Sequence, residues 1–166
     1  YYITIYNENY EQPSQPDHVN NRDITSGLYK FDDGPDLGDD AHRATILFSG
    51  PSYLAAKEAQ TILAEQYNVA AELWSVTSYK RLREDAINVQ RRNRLNPLGE
   101  RLVPMVTSKL QGSEGPIIAV SDWMAGVVGQ INRWTPRPMS VLGTDGFGRS
   151  DTREALRSFF EVDAAH

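Results

Sequence analysis

The sequence predicts an α/β fold in which short strands alternate with helices. An apolar strand, a segment of helical spacing and a second strand follow one another over residues 44–77. Another apolar run covers residues 116–120, and a strand–loop–helix pattern covers 141–156. Strands that alternate with helices in this way indicate βαβ units, which join parallel strands by right-handed crossovers.

Composition narrows the class of protein. The 166 residues fit one domain, and 40% hydrophobic with 23% charged residues is typical of a soluble globular chain. A net charge of −5 disfavours non-specific binding to nucleic acid or membranes. The absence of cysteine excludes disulfides, thiolate catalysis and cysteine zinc sites. Apolar runs fall short of the roughly 20 residues that a membrane span needs.

The two ends of the sequence suggest a piece of a longer protein. Residues 1–6 are rich in strand-forming side chains, residues 7–25 are polar with two prolines, and the last residues follow a helix closely. We therefore expect 1–25 to hold the end of a preceding domain's strand and a linker. Residues 26–166 are expected to form the domain, with the parent chain continuing beyond 166.

A short strand over 27–31 is predicted to come first, followed by an acidic loop. Five aspartates lie between positions 32 and 40. Calcium binding is the alternative interpretation, but the spacing of an EF-hand loop is missing, so a solvated loop is favoured.

The βαβ unit follows, with strands over 44–48 and 70–77. The intervening helix, 52–67, begins beside Pro51 and ends at Asn68, a residue that tolerates left-handed backbone.

A helix over 78–96 carries five arginines, which favours a solvated basic face. A docking site for an anionic partner is the alternative.

The last third is predicted to contain a helix over 103–110, strands over 116–121 and 140–143, and two further helices. Ser121 or Asp122 would cap a helix that ends near Trp134. Asp151 would cap the final helix, with Glu154 completing a capping box. That helix would pack three apolar side chains onto the sheet, namely Leu156, Phe159 and Phe160.

Residue chemistry alone predicts no active site. The three histidines lie apart in sequence, and neither 49–52 nor 146–148 has the glycine pattern of a phosphate-binding loop. One alternative remains open: the turns at 49–52 and 143–150 could form a shared anion site at helix N-termini.

The amino-acid sequence of several stretches resembles the C-terminal region of the homodimeric pyruvate dehydrogenase E1 component, of the transketolase-like superfamily. The most specific matches are the glycine loop, 142–151, and the Asn-Glu-Asn-Tyr stretch, 7–10. Others occur in the same order along the chain, at 1–4, 29–30, 75–78, 96–98, 153–154 and 160–163.

The resemblance implies a three-layer α/β/α domain with a five-stranded mixed sheet whose first strand is antiparallel. It implies a cytoplasmic homodimeric parent that uses thiamine diphosphate and Mg²⁺ to decarboxylate pyruvate, a product of glycolysis. The parent then acetylates the lipoyl group of the E2 acetyltransferase. The cofactor site would lie upstream, so this chain would contribute no catalytic, cofactor-binding or metal-binding residue and would be inactive alone.

Two hypotheses follow. In the first, the chain is a non-catalytic C-terminal domain that supports the E1 dimer, and Asp145, Arg149 and Asp151 fix the glycine loop or a subunit contact. In the second, it is an independent α/β module that binds an anion or a partner. Neither nucleic acid nor membrane is expected as a partner.

Overall fold

The computed structural model describes residues 3, 5 and 7–166. The strand predicted for residues 1–6 therefore falls largely outside the described residues. In chain order the elements are α1 (Asn21–Ser26), β1 (Tyr29–Asp32), β2 (His42–Phe48), α2 (Ser52–Tyr67), β3 (Val69–Ser75), α3 (Tyr79–Leu95), α4 (Met105–Leu110), β4 (Ile117–Val120), α5 (Ala125–Gly129), a 3-10 turn (Asn132–Trp134), β5 (Met139–Leu142) and α6 (Arg153–Phe159).

The five strands form one mixed sheet in the order β1-β3-β2-β4-β5. β1 pairs with β3 antiparallel, and the other neighbours are parallel. The expected five-stranded sheet with an antiparallel first strand is confirmed. Apolar side chains dominate β2 because helices cover both faces of a parallel sheet.

One face of the sheet is covered by α3, α4, α5 and the 3-10 turn. Leu82 from α3, Leu110 from α4 and Val128 from α5 are fully buried there against strand residues such as Leu47 and Ile117. Each such side chain contributes roughly 1.5–3 kcal/mol through burial. This face supplies the larger part of the core.

The other face is covered by α2 and by the residues that follow α6. Ala56 of α2 and Val162 pack against strand residues such as Ile46 and Leu73. Phe31, Phe48 and Tyr53 form an aromatic cluster here, with ring centroids 5.2–5.6 Å apart, and Phe31 meets the other two rings edge to face. An apolar groove of about 360 Å³ remains between α2 and residues 163–166. Helices on both faces confirm the three-layer architecture.

Two predictions about helices near the N-terminus and the middle of the chain need correction. The linker predicted over 7–25 contains α1, whose capping box joins Asn20 and Asp23. The helix predicted from Ser121 or Asp122 to Trp134 begins only at Ala125 and breaks after Gly129. Glycine lowers helix propensity by about 1 kcal/mol per residue, so the short glycine-containing segment does not sustain a continuous helix.

The cap of the last helix is displaced by one residue from the prediction. Thr152, not Asp151, is the N-cap: its hydroxyl accepts a hydrogen bond from the Ala155 amide at 3.3 Å. Asp151 instead accepts from the Thr152 amide at 2.7 Å, so Glu154 cannot complete the predicted capping box. Phe160 packs on the sheet as expected, whereas Phe159 is 54% exposed.

Candidate functional site: the carboxyl edge of the sheet

A large cleft lies at the carboxyl ends of β2, β3 and β4, where open α/β sheets usually place contacts with ligands. Its volume is about 1050 Å³. The sheet end forms its floor, and the polar segment 8–15 crosses above it. Aromatic side chains on its wall include Tyr10, Tyr29, Tyr53 and Trp123.

Two serines meet at the floor of this cleft. Ser49 follows β2 and Ser121 follows β4, and since the two strands are parallel neighbours their carboxyl ends lie together. The Ser49 hydroxyl donates to Ser121 Oγ at 2.9 Å, and Ser121 Oγ also accepts from the Trp123 amide at 3.2 Å. Ser121 is fully buried. These bonds join the two strand ends, and within the described residues no histidine or carboxylate bonds to Ser121.

The loop after β5 is tied to the loop after β4. The Thr144 amide donates to the Trp123 carbonyl at 3.0 Å, and the Ala125 amide donates to Asp145 Oδ1 at 3.0 Å. Asp145 thus accepts from the first residue of α5, in place of the cap predicted at Ser121 or Asp122. A Cβ at Gly143 would lie 2.7 Å from both the Ala125 nitrogen and the Trp123 oxygen. The close approach of the loops requires glycine there.

The three residues singled out from the sequence do not converge on one point. Asp145 binds the start of α5, and Asp151 binds the adjacent Thr152 amide. The Arg149 guanidinium stacks on the Phe159 ring, with its central carbon 3.9 Å from the ring centroid. Each side chain therefore holds a different part of the loop–helix segment.

Ion pairs connect α6 to the polar segment that crosses the cleft. Glu8 lies 3.1 Å from Arg153 and 3.3 Å from Arg157, and Arg153 also donates to the Asn7 side chain at 2.9 Å. Sequence reasoning missed this contact. The spacing of four residues between the arginines places them on one helix face, but their partner is more than 140 positions away.

The chemistry of the cleft does not suit an anion. Glu8 and Asp122 line it, and no lysine or arginine of the described residues does. Residues 145–149 border a separate hollow of about 370 Å³, and no residue of 143–150 lines the large cleft. The two turns considered for a shared anion site, 49–52 and 143–150, thus line different hollows, and neither hollow combines the two turns.

Other candidate groups lie apart from the cleft. In the described part of the chain, no group of three or more histidine, aspartate or glutamate side chains could hold a metal ion. No helix there is long and apolar enough to cross a membrane.

His166 hydrogen-bonds to Asp163 at 2.7 Å, which raises the pKa of the histidine. That pair lies on the α2 side, away from the serines.

The basic face of α3 is solvent-exposed along its outer side. Within the described residues, its one ion pair joins Lys80 to Glu84 at 2.6 Å. Asp85 on the inner side accepts from the Met105 amide at 2.7 Å and thereby caps α4. The exposed arginines on this helix agree with the solvated-face interpretation.

Known proteins resemble this chain closely in sequence. It is 42% identical over 99% of its length to the pyruvate dehydrogenase E1 component of Mycobacterium tuberculosis, covering 17% of that protein. It is 38% identical over its whole length to the Escherichia coli K12 protein of the same name, covering 18% of it. The matches fall in the C-terminal region of these relatives, and the chain spans less than a fifth of their length.

Solved structures resemble the fold. A transketolase from Pichia stipitis superposes with a TM-score of 0.51 at 16% identity, over 87% of this chain and 17% of that one. A Campylobacter jejuni transketolase gives 0.50 at 16% identity, over 86% and 18%. The sequence profile of the transketolase-like TK C-terminal domain matches residues 27–163. The chain therefore belongs to the transketolase-like C-terminal domain family.

Proposed function

We propose that this chain is a non-catalytic C-terminal domain of a pyruvate dehydrogenase E1 component and supports the assembly of that enzyme. The observation that carries the proposal is the 42% identity across 99% of the chain to the C-terminal region of E1. The intact enzyme, in the cytoplasm, decarboxylates pyruvate with thiamine diphosphate and Mg²⁺. It passes the acetyl group to E2 as a homodimer.

The chemistry of the carboxyl edge supports a role outside catalysis. Its two serines bond to each other, and Ser121 also bonds to backbone. Its carboxylates face a cleft that no described lysine or arginine lines, and Asp145 of the loop after β5 binds a backbone amide. In thiamine enzymes the cofactor supplies the reaction, and the protein must hold and orient it. The described residues offer support for neighbouring parts of the enzyme rather than a cradle for a diphosphate.

Calorimetric titration of the purified chain tests this proposal. We expect no binding heat with thiamine diphosphate and Mg²⁺, with pyruvate, or with inorganic phosphate. The full-length enzyme is the positive control for the cofactor. Micromolar affinity of the chain for thiamine diphosphate would contradict the proposal, and micromolar affinity for phosphate alone would favour an independent anion-binding module.

We further propose that Asp145, Arg149 and Asp151 hold the glycine loop and the start of α6 in place. Their contacts are the α5 amide, the Phe159 ring and the Thr152 amide, respectively. All three act on the protein's own backbone or side chains, so their replacement should affect stability or assembly before the chemical step.

A further inference from the structure

A dense group of basic side chains lies on the solvent side of α3, and we term this surface the α3 basic face. The helix carries six cations and two carboxylates, a net charge of +4 in a chain of −5, so the rest of the chain carries −9. All six cations are exposed. They are Lys80, Arg81, Arg83, Arg91, Arg92 and Arg94.

The fold neutralises little of this charge. Lys80 lies 2.6 Å from Glu84, but their side chains are 80% and 51% exposed, and such a pair contributes little. Asp85 follows Arg81 by one helical turn, yet it accepts from the Met105 amide at 2.7 Å instead. Among residues 3, 5 and 7–166, no carboxylate forms an ion pair with any of the five arginines of the face.

Helix electrostatics account for only part of the α3 basic face. Arg92 and Arg94 lie in the last turn, where the partial negative charge of the helix end favours cations. Lys80 and Arg81 lie in the first turn, which contains no acidic residue and where the helix dipole disfavours cations. Arg91 and Arg94 add repulsion between like charges on one side of the helix. An anionic partner would relieve this repulsion.

The inner side of α3 holds the face in a fixed position. Leu82 and Ala86 are fully buried in the core. Near the C-terminal end of the helix, the Asn93 side chain donates to the Leu102 carbonyl at 2.8 Å and accepts from the Leu102 amide at 2.9 Å. The backbone that carries the arginines is therefore ordered before binding, which lowers the entropy that binding would cost.

Two exposed apolar side chains lie among the charges. Ile87 is 39% exposed and Leu95 is 59% exposed. Each is four positions from Arg91, so the three residues follow one line along the helix, with about 12 Å between the outer two. Arginine combined with apolar side chains is typical of surfaces that bind proteins.

These two features select an acidic protein segment as the partner. The arginine fork binds carboxylates and phosphates equally well. A phosphate backbone offers no apolar group to Ile87 or Leu95, and the one aromatic residue of α3, Tyr79, is buried and cannot stack on a base. A nucleic acid would also extend past α3 toward a chain that carries −9 elsewhere. A short segment with carboxylates and apolar side chains fits both parts of the face.

We propose that the α3 basic face is a docking site for an acidic protein segment in which carboxylates alternate with apolar side chains. Arg91 lies at its centre, between Ile87 and Leu95. Because the face is solvated in the chain alone, no described part of the fold has to move before a partner binds. The inference goes beyond the assembly role and does not depend on it.

Fluorescence anisotropy with the purified 166-residue chain tests this site. The probe is a labelled peptide of repeated glutamate–leucine–glutamate units. We expect a Kd on the order of 10–100 µM at about 0.03 M salt, and binding about tenfold weaker at about 0.3 M salt. An all-glutamate peptide of equal charge should bind more weakly, and Leu95→Ser should affect only the peptide that contains leucine.

Charge variants locate the site on α3. Arg91→Glu should weaken binding about tenfold or more without changing the melting temperature, because Arg91 is exposed. Arg91→Lys retains the charge but loses the planar fork and should weaken binding about threefold. The matched control is Arg22→Glu, which changes the net charge equally at an exposed position on α1. It should leave the Kd within about twofold, because distant charges are screened.

Four outcomes would overturn the inference. One is no binding of the peptide by about 1 mM. Another is equal weakening by Arg91→Glu and Arg22→Glu, which would indicate net charge alone. A labelled DNA duplex that binds more tightly than the peptide would indicate a nucleic-acid site. Self-association of the chain that Arg91→Glu abolishes would assign the face to a second copy.

Discussion

The two ends of the sheet are built differently. At the amino end, backbone meets backbone: a Cβ on Gly115 would lie 1.7 Å from the Arg43 carbonyl oxygen, and Arg137 Nε donates to the Gly115 carbonyl at 2.8 Å. At the carboxyl end, side chains bridge separate loops around a cleft of about 1050 Å³, and Phe147 is 96% exposed.

The two ends of the sheet therefore differ in how closely their backbone is packed. Close backbone packing at Gly115 leaves no room for a side chain, so β2 and β4 have little freedom to move apart or shift at this point of the amino end. The carboxyl end has one such close approach, at Gly143, but it also leaves a large cleft open and exposes aromatic rings. Substitutions at the amino end should therefore cost more stability.

The largest effect is expected for Gly115→Ala. Gly115 has φ +68°, and the added methyl would collide with Arg43 backbone. Left-handed backbone and overpacking each cost roughly 1–3 kcal/mol, so the chain should lose about 3 kcal/mol or more. Chemical denaturation measures this loss. Gly112→Ala is the control, because no atom lies within 4 Å of the position of its Cβ. Equal stability of both variants would contradict close packing at this end.

A smaller loss is expected for Gly143→Ala at the carboxyl end. Its Cβ would lie 2.7 Å from backbone atoms of Trp123 and Ala125, and the two loops would have to separate, at a cost of about 1–3 kcal/mol. The control is Gly126→Ala, which enters open space in α5 and should stabilise by up to about 1 kcal/mol. If both variants unfold alike in denaturant, the loops are not in contact.

Glu72→Gln tests the charged cluster at the amino half of β3. Glu72 lies 2.7 Å from Lys30 and accepts from Trp74 Nε1 at 2.9 Å. Desolvation opposes the charged form, but these hydrogen bonds outweigh it and lower the pKa of Glu72. The variant should lose about 1–2 kcal/mol at pH 7.

The pH dependence of that loss has a definite sign. A lowered pKa stabilises the folded protein above the unfolded-state value, and this stability disappears as the pH falls through the folded-state pKa. Unfolding curves of wild type and Glu72→Gln should therefore converge below about pH 4. Glu65→Gln, on an exposed residue without an ion pair in the described part, is the control. A pH-independent difference would contradict a charge effect.

The smallest effect is expected for Asp145→Ala. Loss of the acceptor for the Ala125 amide should cost about 0.5–1 kcal/mol, as for other helix caps. Asp145→Asn retains an acceptor oxygen and should recover most of this stability in thermal unfolding. In the E1 enzyme that we propose as the parent, lost activity in a stable Asp145→Ala variant with unchanged assembly would instead assign the loop a direct functional role.

Local patterns predicted the elements that depend on short-range physics. Strands over 44–48 and 116–121 were predicted from apolar runs, and α2 was predicted to end at Asn68, which has φ +53° in the structure. Errors occurred where competing caps lie side by side, as at Asp151 and Thr152, or where glycines shorten a helix, as in α5. At such positions a small difference in free energy decides which residue caps the helix or where the helix ends.

The sequence by itself determined the alternation of strands and helices, the loops between them and the family resemblance, because these depend on residues close together in the chain. Only the tertiary structure decided that Glu8 meets Arg153, that Asp145 caps α5 and that Ser49 bonds to Ser121. Such contacts join residues far apart in sequence, and local periodicity carries no information about which distant segments meet.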